Sequence, residues 1–481
     1  MNNIEALAGI VGKKGVITNS EALLAYNSDA DYISGKPPVC AVKPKKAEEV
    51  QKIIHLANKN GVSLVPCSSN GPHTKGAGVP LVENAVVVDL SDMNAIVRID
   101  KRNKVALVEP GVTFSELQEA ATKGGLRVIM PLMPRKSKSV VESLLELEPT
   151  TVPKYHWDTS DPLCCMEVIF GEGSMFRTGS AAGPGTLEEQ WAVGQAQKSP
   201  MGPAQSDLAK IVQGSQGTMG IVTWASVKLE LSPTREKAFF VGADTVESLV
   251  DFTYAILKPR LTDVCLIVNR ANVKAICSEE AAEDLPPWIL FYSISGYEHF
   301  PDERIQYIEA DIKDMAAGFG VAPVQTLEDI SAQKILGLVT KPSGEPYWKS
   351  RVQGGFRDVF FLTTLDKAPM FVDAVRKEME THQFKEESLG VYIQPIQQGR
   401  GCHMDFTLMY DPDDEGMSSE VKAWFQAVSK NMSELGGFFS RPYGLWSSLA
   451  YDKCPTTVTA LKKVKGLLDP NGVMNPGKLC F

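Results

Sequence analysis

The sequence predicts an α+β chain of 481 residues with two regions of different character, and three observations carry that prediction. The first third alternates amphipathic helices with short apolar strands, the habit of a sheet with covering helices. The middle, about residues 236–440, sets strand-like runs such as Cys265–Asn269 and Trp288–Ser295 among long helical stretches. Between the two lies Gln213–Thr223 (QGSQGTMGIVT), where Gly214, Gly217 and Gly220 fall three apart before the apolar run Trp224–Leu231. Glycine lets a backbone approach a ligand closely and adopt positive φ, and the amides of such a loop can face an anion. Taken alone, the stretch reads as a turn before an edge strand. Its spacing matches neither the dinucleotide fingerprint nor a Walker loop.

Taken in order, residues 1–35 read as a short helical pair. Pro44–Asn60 is an amphipathic helix with Val50, Ile53, Ile54 and Ala57 on one face, and His55 beside that stripe reads as structural. A strand at Val62–Pro66 runs into the loop Cys67–Pro80 (CSSNGPHTKGAGVP), followed by strands at Ala85–Leu90, Arg98–Asp100 and Lys104–Glu109. Ser115–Lys123 is a helix capped by Thr113 or Ser115. In the middle region Val359–Thr363 and Val391–Pro395 read as further strands, with helices at Pro301–Met315, Met370–Thr381 and Ser418–Leu435. An antiparallel sheet with helices on one face is expected there. There is no internal repeat and no low-complexity tract.

Composition narrows the function. A net charge of −9 argues against a nucleic-acid groove or an anionic membrane surface as partner. No apolar run reaches the roughly 20 residues that cross a bilayer, and the opening segment is too polar for a signal peptide; a cytoplasmic setting fits. The nine cysteines contain no CxxC pair, so no iron–sulfur, zinc or other metal site is expected. Adjacent Cys164 and Cys165 read as buried thiols.

Several stretches in order then resemble one family: VSLVPCSSNGPHTKGAG, VVVDLSDMNAIVRID, ALVEPGVTFSEL, MEVIFGEGSMFRTG, GSQGTMGIVT and the C-terminal LLDPNGVMNPGK. Together they resemble the FAD-binding flavoproteins of the vanillyl-alcohol oxidase and p-cresol methylhydroxylase type, including the D-lactate dehydrogenase and glycolate oxidase D-subunit branch. The resemblance implies an FAD-binding domain built from residues 1–235 plus 441–481 and a substrate or cap domain at 236–440. It implies FAD as cofactor, held without a covalent bond.

By the same resemblance the first glycine loop faces the FAD diphosphate, with Ser69, Asn70, Gly71, His73, Thr74 and Gly76 as candidates. This loop has fewer glycines than is usual, and Pro72 removes one donor. Gly214, Gly217, Gly220 and Ile221 resemble the segment lining the adenine end, Pro110 and Gly111 the turn beside the cofactor, and Lys478 a residue close to it. His73 has two readings, a covalent tether to the flavin or a phosphate or solvent contact. Lys75 stands where phenol-oxidising relatives place a tyrosine, and either faces a substrate carboxylate or solvent. Relatives carry a glycine-rich stretch where this chain has Glu142–Asp161, so Tyr155 and His156 read either as a substrate wall or as anchors of a restyled surface loop.

Arg441 falls where phenol-oxidising relatives keep an arginine near the flavin, while Ser440 replaces their tyrosine. Its guanidinium suits the anionic reduced ring or a substrate carboxylate; an ion pair at a domain seam is the structural alternative. His403 and Asp405 lie two apart on an extended segment and so share a face. A histidine held there can act as a base, with Asp405 as its partner or a substrate contact, and a structural His–Asp bond is the alternative. Arg351 is a further carboxylate-binding candidate. The reading that follows is an FAD-dependent dehydrogenase acting on a small-molecule alcohol, 2-hydroxy acid or benzylic carbon by hydride transfer to flavin N5. Its electrons pass to a partner subunit or other acceptor, within a homo- or hetero-oligomer. An oxygen-using oxidase and a flavoprotein-fold scaffold without chemistry are the rivals.

Overall fold

The computed structural model describes residues 3–26, 28–29, 33–69, 71, 77–154, 162–202, 207–277 and 284–481. Its first sheet has four strands, β1 (Val16–Ile17), β2 (Cys40–Val42), β3 (Leu64–Cys67) and β4 (Val86–Asp89), in the order β1-β2-β4-β3. β2 and β3 run parallel to β4, which requires a crossover, and helix Ala47–Asn60 supplies it. The stripe Val50, Ile53, Ile54 and Ala57 is its buried face. Gly61 stops the helix at φ 64°, the left-handed conformation glycine adopts without a Cβ penalty.

The second sheet has six strands. β5 (Ile96–Asp100), β6 (Val105–Val108), β8 (Leu163–Phe170), β9 (Met175–Arg177) and β10 (Gly220–Leu231) run in the order β9-β8-β10-β6-β5, and β7 (Leu126–Val128) pairs with the end of β10. β10 therefore holds the layer together, pairing with β8, β6 and β7. It starts at Gly220, ahead of the apolar run seen in the sequence, because Gly220 lies directly on the backbone of Ile169 and Phe170. Helix Phe114–Thr122 covers the sheet and opens with a capping box between Thr113 and Glu116, a device that contributes about 1 kcal/mol.

The third sheet is antiparallel throughout. β11 (Arg235–Ala243), β12 (Cys265–Asn269), β13 (Trp288–Gly296), β14 (Gly355–Thr363), β15 (Leu389–Ile396) and β16 (Gly401–Tyr410) run in the order β11-β13-β12-β15-β16-β14. Helices Glu247–Leu257, Pro301–Phe319, Ala368–Thr381 and Glu415–Glu434 pack on one face. The expectation of helices on one face only is corrected here. Helices Arg270–Cys277 and Ala332–Val339, with Trp348, cover part of the other face. The cause is alternation: Met404, Phe406 and Leu408 point one way, Phe240, Leu266 and Met409 the other, and both apolar faces must be shielded from water.

The C-terminal tail returns to the first sheet. The Leu64 amide donates to Val473 O at 2.8 Å and the Asn475 amide to Leu64 O at 2.8 Å, so the tail runs beside β3. Val473 and Met474 are buried there.

Candidate functional site

Where the first two sheets meet, a cavity that is partly open to solvent lies between the end of β3, the start of β10 and the 214–217 turn. Gly214 and Gly217 sit at φ 71° and 72°, and Gln216 between them is held at φ 53°, an uncommon conformation for a residue with a Cβ. Asn475 holds the turn, its side-chain amide donating to Ala77 O at 2.9 Å and to Gln216 O at 2.6 Å. One side chain of the tail thus joins both glycine loops. Gln216 donates onward to Pro442 O at 3.0 Å, which fixes the segment that carries Arg441.

The third wall is acidic. Ser139 caps helix Val140–Leu145, and Lys138, Glu142 and Glu146 follow at helical spacing, so they share a side. Lys138 Nζ lies 3.0 Å from Glu142 and 2.5 Å from Glu146. Burial alone would lower the pKa of this ammonium, but Glu142, Glu146 and Glu148 outweigh burial and hold it well above its ordinary value. Glu142 also accepts the amide and hydroxyl of Ser69 at 2.7 and 2.6 Å.

A second cavity, also partly open to solvent, lies between the third sheet and the segments 131–138 and 347–349. Strand register builds its floor: Asp405 stands opposite both Phe360 and Tyr392, and Asp358 opposite Thr407. Lys349 Nζ reaches Asp358 at 2.8 Å and Asp405 at 2.7 Å. Desolvation pulls this ammonium's pKa down, and the two carboxylates override it and push the pKa up. His403, buried, packs its ring 5.8 Å from Phe360 and 6.0 Å from Tyr392.

Among the described residues Arg441 alone lines both cavities. It is 5% exposed. Its guanidinium carbon sits 4.0 Å from the Phe360 ring centroid, and Nη1 lies 4.0 Å from Glu148. Leu147, at φ 59°, turns the chain after the acidic helix so that Glu146 lines the first cavity and Glu148 the second.

A family profile described as "FAD binding domain" matches residues 38–138, and one described as "FAD linked oxidases, C-terminal domain" matches residues 232–479. The chain belongs to the FAD-linked oxidase family. It is 25% identical over 492 residues to the D-2-hydroxyglutarate dehydrogenase of Stutzerimonas stutzeri (strain A1501), covering 99% of this chain and 98% of that one. It is 22% identical to the mitochondrial D-lactate dehydrogenase [cytochrome] of Arabidopsis thaliana, over 97% of this chain and 80% of that one. In fold it matches the 4-ethylphenol oxidase of Gulosibacter chungangensis with a TM-score of 0.83 at 19% identity, covering 99% and 96% of the two chains. The chain is therefore an FAD-dependent oxidoreductase. The first cavity fits the cofactor: Gly217, where a Cβ would run into the Pro66 ring, leaves backbone as the wall, and Leu145, Val212 and Ile221 add apolar lining beside it.

The predicted cofactor residues Gly214, Gly217, Gly220 and Ile221 all line that cavity. Ser69 is buried beside it, but its amide and hydroxyl are already taken by Glu142. Gly71 is exposed. Asn70, His73, Thr74, Lys75, Gly76, Tyr155 and His156 lie outside the described residues. Pro110 and Gly111 do not reach the cavity. A Cβ on Gly111 would stand 2.7–2.8 Å from the carbonyl oxygens of Leu90, Ser91 and Met93, so this turn serves packing. Lys478 is buried on neither cavity wall. Arg351 directs its donors to Pro346 O, Ile276 O and Ser343 Oγ at 3.1–3.3 Å, away from the cavities. His403 and Asp405 do share the second cavity, and Asp405 is ion-paired with Lys349 there.

The sequence reading missed Lys349, Asp358, Glu148, Asn475 and the Lys138–Glu142–Glu146 wall. The wall had a signal in its i, i+4, i+8 spacing. Lys349 had none, because its partners are brought to it by strand register.

Proposed function

We propose that the chain is a dehydrogenase that oxidises an alcohol, hydroxy acid or benzylic carbon in the second cavity, with FAD in the first. The division into residues 1–235 plus 441–481 and 236–440 belongs to this reading, the seam lying between the two cavities. One observation carries it: a single buried guanidinium, Arg441, lines both cavities. FAD, when bound, supplies an acceptor for two electrons taken as hydride from carbon. Arg441 stabilises negative charge that grows at the border of the two cavities as the reaction proceeds. His403 takes the proton of the substrate hydroxyl, its ring held between Phe360 and Tyr392. Lys349, Asp358 and Asp405 keep the polar floor fixed, and the aromatic walls exclude water.

Electrons then leave for a protein partner. The cytochrome in the name of the Arabidopsis relative supports that choice over oxygen. The flavin is held without a covalent bond, so acid precipitation leaves the pellet colourless. Arg441→Ala is expected to slow anaerobic flavin reduction about 10²–10³-fold with FAD retained, and Arg441→Lys to restore only part of the rate. Stopped-flow reduction at a near-normal rate in Arg441→Ala removes Arg441 from the mechanism.

A further inference from the structure

The second cavity holds four cationic side chains on its walls, Arg135, Lys138, Lys349 and Arg441, and their partners divide them. Lys138 takes Glu142 and Glu146, Lys349 takes Asp358 and Asp405, and Arg441 has Glu148 at 4.0 Å. Arg135 has no carboxylate within ion-pair distance among the described residues. Its guanidinium carbon instead stacks 4.5 Å from the centroid of the Tyr347 ring. Stacking occupies a face of the guanidinium and leaves its N–H edge for an acceptor in the plane. A second observation lies in the same cavity. Trp348 is 1% exposed and its indole N–H has no hydrogen-bond partner, an unfavourable state for a buried donor unless a ligand completes it. A half-exposed guanidinium without a carboxylate and a buried N–H without an acceptor, both on residues that line this cavity, point to an anion.

The wall also fixes which end of the cavity this is. Arg135 pairs with Ser343 in an isolated bridge, and Ser343 and Lys136 line a separate outer groove. Arg441 stands at the border with the first cavity. Between these two ends the lining is aromatic, with Phe356, Phe360 and Tyr392. Met133, two residues before Arg135, is held at φ 43°, a strained backbone of the kind that aims groups at a ligand site.

We propose that Arg135 and Trp348 form a carboxylate subsite at the groove end of the second cavity, selecting an arylcarboxylate whose oxidised benzylic carbon is remote from its carboxylate. The inference rests on the reading of the second cavity as the substrate site. It separates this chain from a site for small 2-hydroxy acids, in which the carboxylate adjoins the oxidised carbon. The carboxylate accepts the two N–H donors while the ring lies along the aromatic lining.

The test uses flavin-loaded protein and two inert probes, benzoate and its neutral isostere benzamide, with binding measured by calorimetry. Wild type is expected to bind benzoate at least about 10-fold more tightly than benzamide. Arg135→Gln should weaken benzoate about 10- to 100-fold and leave both benzamide binding and the flavin-to-protein absorbance ratio unchanged. Arg135→Lys should restore part of the affinity, and Trp348→Phe, which keeps a ring and removes the N–H, should weaken benzoate a few-fold. Absence of benzoate binding to wild type, equal losses for both probes, or unaltered binding in Arg135→Gln would each overturn the subsite. A turnover arm with 4-(hydroxymethyl)benzoate expects a raised KM and an unchanged kcat in Arg135→Gln. Benzoate binding that depends on Arg135 in a protein whose flavin no alcohol reduces would count against the proposed reaction and leave the subsite standing.

Discussion

Lys349 sets two carboxylates of different strands, Asp358 and Asp405, on one buried ammonium. A buried pair is weak grounds for stability in itself, yet removing one partner is costly because charge is left in a poor solvent. Lys349→Met is therefore expected to destabilise the fold by about 3–5 kcal/mol. The deficit should shrink in acid, since two carboxylates facing each other without the ammonium raise each other's pKa and protonation relieves them. Urea unfolding at neutral and acid pH checks both statements, and a loss under about 1 kcal/mol at neutral pH rejects the account. The same residue shows what a sequence conceals. His403 and Asp405 were legible because a strand puts i and i+2 on one face. The Lys138, Glu142, Glu146 spacing was there to be read. Nothing local to YWKSR announces that Lys349 will meet residues 9 and 56 positions away, because that meeting is decided by how β14 and β16 pair.

Among the elements, helices were the most legible: Pro44–Asn60 became Ala47–Asn60, and Met370–Thr381 became Ala368–Thr381. Their stripes repeat over several turns, so the period fixes them to within a turn. Strands in the middle region ran longer than predicted, as at Gly355–Thr363, since alternation is interrupted where both faces are buried. The segment after β9 tests how such a layer is pinned. At the end of β5, Asp100 accepts from the Asn103 amide and side chain at 2.9 Å and from Gln197 at 2.8 Å. Burial pushes its pKa up, but these hydrogen bonds and nearby Arg98 win and hold it at about 2, below the ordinary 3.8. A depressed carboxylate adds stability that is complete above its unfolded value and disappears as pH falls through the folded one. Asp100→Asn should thus be less stable than wild type at pH 7, and the gap should close between about pH 4 and pH 2. Chemical denaturation across that range decides it; a gap that persists at the acid end means the ionised form is not what holds residue 197.

Across the whole molecule, the first cavity, proposed above to hold FAD, is assembled from parts far apart in the chain, and its make-up was only partly visible in advance. The glycine loop and the C-terminal motif could be matched as stretches; that one asparagine joins them could not, since the contact spans 259 positions from Gln216 to Asn475. Asn475 itself sits at φ 40°, a conformation asparagine tolerates better than most side chains, and its amide serves Ala77 and Gln216 at once. Asp469 prepares the turn before it, accepting the amides of Val473 and Met474 at 3.0 and 2.9 Å and the ammonium of Lys465 at 2.5 Å. The tail accordingly shapes the first cavity without lining it. Asn475→Ala removes both clamps while leaving Val473 and Met474 packed beside β3. Each lost hydrogen bond costs about 1 kcal/mol and leaves a carbonyl to find another donor. The two glycine loops then open relative to each other, and FAD retention should fall about 10- to 100-fold, with the thermal midpoint of the FAD-free protein little changed. Ligand that binds only the folded state raises the midpoint by mass action, so wild type should gain more from added FAD than Asn475→Ala does. Equal gains, with equal flavin-to-protein ratios after dialysis, would show that the cavity holds its shape without the tail.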